Sequence, residues 1–170
     1  MPQLDPLETE IVQAVFELPE RARQEHWPGD TEWTRAVKIS IARIGHHHGY
    51  AVCASGLAGI PELAAGQCYG EWLYDLTFLE YREYEWGKAL ARVPLILECE
   101  FGGRDQIDDD FQKLLVGRAE HRVMIFQLRV FDHLQDQVVA FAGTRQGDRY
   151  IFLGLDNATS TFAHRLFIAP

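Results

Sequence analysis

The sequence predicts an α/β fold, a mixed sheet flanked by helices with an extra N-terminal helix, and three observations lead there. The stretch "EWLYDLTFLEY", Glu71 to Tyr81, alternates along its length, and the apolar run "VPLILECEF", Val93 to Phe101, follows it at hairpin distance. Ahead of them lie two stretches with apolar residues at helical spacing. After them, helix-like and strand-like segments take turns to the end of the chain. The 170 residues, 47% hydrophobic, suffice for one sizeable core. Residues 1–30 read as an N-terminal helical extension and residues 31–170 as the α/β body, within one structural domain.

The elements follow in order. Asp5-Pro6-Leu7-Glu8 reads as an N-cap, a proline at the first helical position and a capping glutamate, and Leu7, Ile11, Val15 and Leu18 continue at helical spacing. Pro19 is expected to open a second, polar segment that "HWPGD" breaks before Thr31. Trp33, Val37, Ile41 and Ile44 form the stripe of a second helix ending near Gly45. "YAVCASGL" reads as a strand, followed by a connection punctuated by Gly59, Pro61 and Gly66. In the alternating stretch Trp72, Tyr74, Leu76 and Phe78 share one face as core packing, while Glu71, Leu73, Asp75 and Thr77 share the other. "REYEWGKALAR" closes a hairpin into the 93–101 strand, which Gly102 and Gly103 end. A helix from about Gln106 to Arg118 buries Ile107, Phe111, Leu114 and Leu115. "RVMIFQL" is a buried strand, "DHLQDQVVAFAG" a helix capped by Asp132 and stopped near Gly143, and "RYIFLGL" and "FAHRLFI" two further strands.

A formal net charge of −9 argues against gripping nucleic acid by bulk positive charge, so any phosphate-handling role must be local. Cys53, Cys68 and Cys99 form an odd set without CxxC spacing, and the start of the chain lacks the pattern of a signal peptide; a reduced, cytoplasmic setting is the expectation. No apolar run approaches the roughly 18 residues that span a bilayer.

Glu98 and Glu100 point the same way from one strand, where their repulsion needs a neutralising partner. With Asp75 on the polar side of the neighbouring strand, this pattern resembles the PD-(D/E)XK nuclease superfamily, the restriction-endonuclease-like fold, over roughly Thr31 to Leu155. Asp75 matches that family's first acid, Glu98 its second, and Glu100 stands where lysine is usual. On the next helix Gln106, Asp110 and Lys113 fall within one arc, so Lys113 is placed to supply the missing cation. The resemblance implies a Mg²⁺ or Mn²⁺ site made by Asp75, Glu98 and the backbone carbonyl of Cys99, with Glu100 or Lys113 positioning or deprotonating the attacking water. The structural alternative is that Glu98 and Glu100 emerge at a solvated strand end and pair with Arg92, Arg104 or Lys113.

Other motifs carry plainer readings. His46-His47-His48 suits a helix C-terminus better than a metal, Asp108 and Asp109 suit a helix start as solvated caps, and Cys99 reads as a small buried apolar residue. "REYEWGK" is an exposed hairpin tip. The functional expectation is a Mg²⁺-dependent nuclease acting on DNA in preference to RNA, working as a homodimer or with a partner subunit and without a membrane. The alternatives are an inactive relative of the same fold that binds protein, or a small acidic inhibitor of the immunity type.

Overall fold

The computed structural model describes residues 3–57, 59–63, 68–127 and 130–170; the side chains of Glu62, Cys68 and Tyr69 are outside the description, as is Gly66 of the punctuated connection. Among the described residues the α-helices and strands follow in the order α1 (Pro6–Glu25), α2 (Asp30–His47), β1 (Ala51–Ala54), β2 (Cys68–Tyr69), β3 (Leu76–Tyr84), β4 (Gly87–Glu100), α3 (Arg104–Val116), β5 (His121–Gln127), α4 (Phe131–Ala140), β6 (Arg149–Asp156) and β7 (Thr161–Ile168), with one 3₁₀ turn, Pro61–Leu63, between β1 and β2. The strands form a seven-stranded sheet in the order β2-β1-β3-β4-β5-β6-β7. The β3–β4 hairpin is antiparallel, β4, β5 and β6 run parallel through the crossovers α3 and α4, and β7 returns antiparallel. The fold is a mixed α/β sheet with helices on both faces.

Each face is built by alternation. Leu76, Phe78, Leu95, Leu97, Val123 and Ile151 meet the stripes of α1 and α2, while Ile96, Met124, Phe126, Tyr150 and Phe152 meet α3 and α4 on the other side. The stripe of α1, Leu7 to Leu18, is buried in the same core as α2 and the sheet. The capping box forms as read: the Glu8 amide donates to Asp5 Oδ1 at 2.9 Å and the Asp5 amide to Glu8 Oε2 at 2.8 Å.

Several local expectations give way. Helix α1 runs through Pro19 instead of restarting there, because the residues after it are helix formers joined by Glu20–Arg23 and Arg21–Glu25 pairs. Gly45 lies inside α2, where an added Cβ would come within 2.5 Å of the Phe78 ring; it is a contact glycine and the helix continues to His47. The alternation of 71–81 does not extend through its first half. Leu73 adopts φ +67°, so Tyr74 joins the α3/α4 side while Leu76 and Phe78 join the α1/α2 side, and Trp72 is 40% exposed instead of packed. Asp132 sits in the first turn of α4 and pairs with Arg165; the N-cap is Val130, without a side-chain cap.

Candidate functional site

Asp75 lies just ahead of β3 and Glu98 near the end of β4, and the register Leu76↔Leu97 brings them side by side. Their hydrogen bonds cross: the Cys99 amide donates to Asp75 Oδ2 at 3.0 Å, and the Asp75 amide donates to Glu98 Oε2 at 3.4 Å. This is also the end of the sheet where the parallel strands β4, β5 and β6 finish, the side on which open α/β sheets bind ligands.

Glu98 is 2% exposed, and its Oε1 has no hydrogen-bond partner among the described residues. Lys113 Nζ lies 3.4 Å from that oxygen as an ion pair and 2.6 Å from Asp110 Oδ1. Burial, and then the Asp75 charge, push the Glu98 carboxyl up to about 8, with Lys113 opposing. The Asp110 hydrogen bond and the Glu98 charge in turn hold Lys113 well above its ordinary value. Glu100 is turned to the start of α3, where its Oε1 accepts from the Gly102 amide at 2.5 Å. Gly102 leaves room for that bond, since a Cβ there would meet Glu100 Oε1 at 2.7 Å. Of the three cations offered by the structural alternative, Lys113 reaches Glu98, Arg92 pairs with Glu80 and Glu120, and Arg104 lies beside Asp108 and His133.

Sequence reasoning missed Lys38. From α2 its ammonium lies 2.9 Å from Asp75 Oδ1 and 3.0 Å from Ser55 Oγ, with 7% of the residue exposed. The signal was present: a lysine inside the apolar run "AVKISI" must find a charge to remain buried. Asp108 was also misread as a solvated cap. Its Oδ1 accepts from His133 Nε2 and from Gln137 Nε2, each at 2.7 Å, and ties α3 to α4. Cys99 is buried, and burial followed by the Asp75 charge raises its thiol well above the ordinary range, which leaves it no role as a nucleophile.

Four carboxylates, Asp75, Glu98, Glu100 and Asp110, therefore share this end of the sheet with two ammonium groups, Lys38 and Lys113. A hard divalent cation suits the donor set, because Asp75 and Glu98 offer only oxygen and Glu98 Oε1, although 3.4 Å from the Lys113 ammonium, accepts no hydrogen bond among the described residues. As a trio, Asp75, Glu98 and Glu100 are not within 4.8 Å of one another. The only trio of His, Cys, Asp or Glu ligand atoms that meets that spacing among the described residues is Asp5, Glu8 and His121, which could hold a metal ion. There, however, Glu8 already receives Arg149 Nε at 2.7 Å and His121 Nδ1 lies 3.1 Å away, so its charge is answered by the protein itself.

Compared with protein-family models, curated proteins and solved structures, the chain matches none. Among the described residues, no helix is long and apolar enough to cross a membrane.

Proposed function

We propose that the Asp75–Glu98–Lys113 end of the sheet is the active site of a divalent-cation-dependent phosphodiester hydrolase that acts on nucleic acid, DNA ahead of RNA. The observation that carries this reading is Glu98: a carboxylate buried beside Asp75 is pushed up to about 8 even with the Lys113 ammonium 3.4 Å from its Oε1, so one ammonium does not offset the burial and the second carboxylate, and a divalent cation would. The chain order also supports it. Helix α2, then β1, the β3–β4 hairpin, α3 and a parallel β5 follow the arrangement that the PD-(D/E)XK resemblance implies.

In this reading Asp75, Glu98 and the Cys99 carbonyl would hold Mg²⁺ or Mn²⁺, which would supply charge neutralisation at the phosphate and activation of the attacking water. Lys38 fixes the Asp75 carboxylate from behind. Lys113, held charged by Asp110, stands where the family's strand lysine would act and contacts a phosphate oxygen or the attacking water. Glu100 takes the water's proton once it leaves the Gly102 amide. A cavity of about 480 Å³ adjoins Gly102, whose amide Glu100 holds, and is lined by Gly103, Arg104, Gln127 and Asp156 among others.

A second reading rests on Asp75: one oxygen meets Lys38 and the other the Cys99 amide, the pattern of a site whose charges the protein has neutralised in a non-catalytic, protein-binding descendant. A cleavage assay decides between them. Single-stranded DNA, duplex DNA and RNA are incubated with the protein in Mg²⁺, Mn²⁺ or chelator, beside Asp75→Asn and Glu98→Gln. Cation-dependent cleavage that falls by about 10²-fold or more in both variants is expected. Cleavage unchanged in both, or none from the native protein in either cation, would overturn the enzymatic reading.

A further inference from the structure

At the opposite end of the sheet, a cavity of about 520 Å³ opens between the start of the buried half of β4, the start of β5 and the C-terminal ends of α3 and α4. Four arginines line it, Arg92, Arg118, Arg122 and Arg145, against two carboxylates, Glu120 and Asp148. Four positive and two negative charges leave a formal +2 in a chain whose total is −9. Such a concentration against the overall balance marks an anion site only if some of the cations lack internal partners. Two do: the side chains of Arg118 and Arg145 form no ion pair among the described residues, and both residues are exposed.

Arg122 supplies a second observation. It is 5% exposed, yet its guanidinium is fixed in the cavity wall: Nε donates to the Gly117 carbonyl at 3.1 Å, Nη2 lies 3.3 Å from Asp148, and the group stacks 5.1 Å from the Tyr150 ring centroid. Its third nitrogen, Nη1, has no hydrogen-bond partner among the described residues. Nη1 is itself buried, so Arg122 contributes its charge to the cavity wall, and direct contacts to an anion come from the exposed guanidinium groups of Arg118 and Arg145. Val93, Leu115 and Phe141 make the rest of the wall apolar.

We infer that this cavity binds a small phosphate monoester of nucleotide size. A monoester dianion matches the formal +2, its three terminal oxygens match forked guanidinium donors, and the apolar wall takes the body of the ligand. The volume falls within the roughly 300–1,000 Å³ typical of such sites. The site is independent of the carboxylate cluster at the other end of the sheet.

Calorimetric titration in chelator tests this without any contribution from a cation site. The probes are adenosine monophosphate, inorganic phosphate and adenosine, against the native protein, Arg118→Gln/Arg145→Gln and Arg122→Lys. Saturable binding of the monophosphate is expected, weaker binding of phosphate, none of adenosine, and a loss of roughly 100-fold in the double variant. Both residues of that variant are exposed, so its fold is retained; Arg122→Lys keeps the charge but loses the fork and weakens binding in the same direction. Adenosine binding as tightly as its monophosphate, an unchanged double variant, or no binding of the monophosphate tighter than ~1 mM would each overturn the assignment.

Discussion

At the scale of single residues, Glu98 and Glu8 are buried carboxylates with opposite fates. Glu98 is pushed up to about 8 from an ordinary 4.5, chiefly by burial and then by Asp75. Between those values the folded chain holds a proton that the unfolded chain releases, so this group makes stability fall as pH rises through the window. Glu98→Gln removes the titration. Urea unfolding from pH 4.5 to 8 should show a flatter decline for the variant and a gain of a few kcal/mol, on the order of 3, at pH 8. A decline parallel to that of the native protein would contradict it. Glu8 is fully buried, which by itself would raise its pKa, but hydrogen bonds from Arg149 and His121 prevail and hold it at about 2. Its contribution is present above pH 4.5 and lost as pH falls towards 2. Glu8→Gln should cost about 3 kcal/mol at pH 7 and nearly nothing at pH 2, read from the same unfolding series.

These two residues also separate what was legible in the sequence. Glu98 and Lys113 could be placed beside one another because a period of two along strands and a 100° step around a helix locate side chains on adjacent elements, whereas Asp75 precedes β3 and reaches Glu98 although the alternation that was to place it breaks at Leu73. The partners of Glu8 could not: Arg149 is 141 positions away and meets it only when β6 closes against α1. Lys38 escaped for the same reason, since nothing local indicates that α2 delivers its ammonium to the residue before β3.

At the scale of elements, punctuation residues misled where tertiary contact overrode them. Pro19 and Gly45 read as a break and a stop, yet α1 and α2 pass through both, and Gly45 exists to let α2 approach the sheet. Gly45→Ala should therefore destabilise by roughly 1–3 kcal/mol although alanine is the better helix former, because the methyl group would strike Phe78 and Val52. Chemical denaturation measures this, and a stabilised variant would refute the close approach. The hairpin of β3 and β4 was readable from its alternation only beyond Leu73, whose left-handed backbone turns Tyr74 to the opposite layer.

At the scale of the whole molecule, the alternation of helix and strand after Glu100 led directly to the parallel strands β4, β5 and β6, and the apolar stripes assigned a helical layer to each face. The short β2 left no pattern, since two residues are too few for a period. The assembled sheet gathers carboxylates where its parallel strands end and arginines where they begin, a polarity of charge that no single segment displays. Whether the carboxylate end holds a divalent cation can be seen by anomalous diffraction from a crystal soaked in Mn²⁺. A peak is expected between Asp75 and Glu98, with carboxylate oxygens of both at roughly 2.0–2.6 Å, lost in Glu98→Gln. No peak there, or a peak only at Asp5, Glu8 and His121, would contradict it.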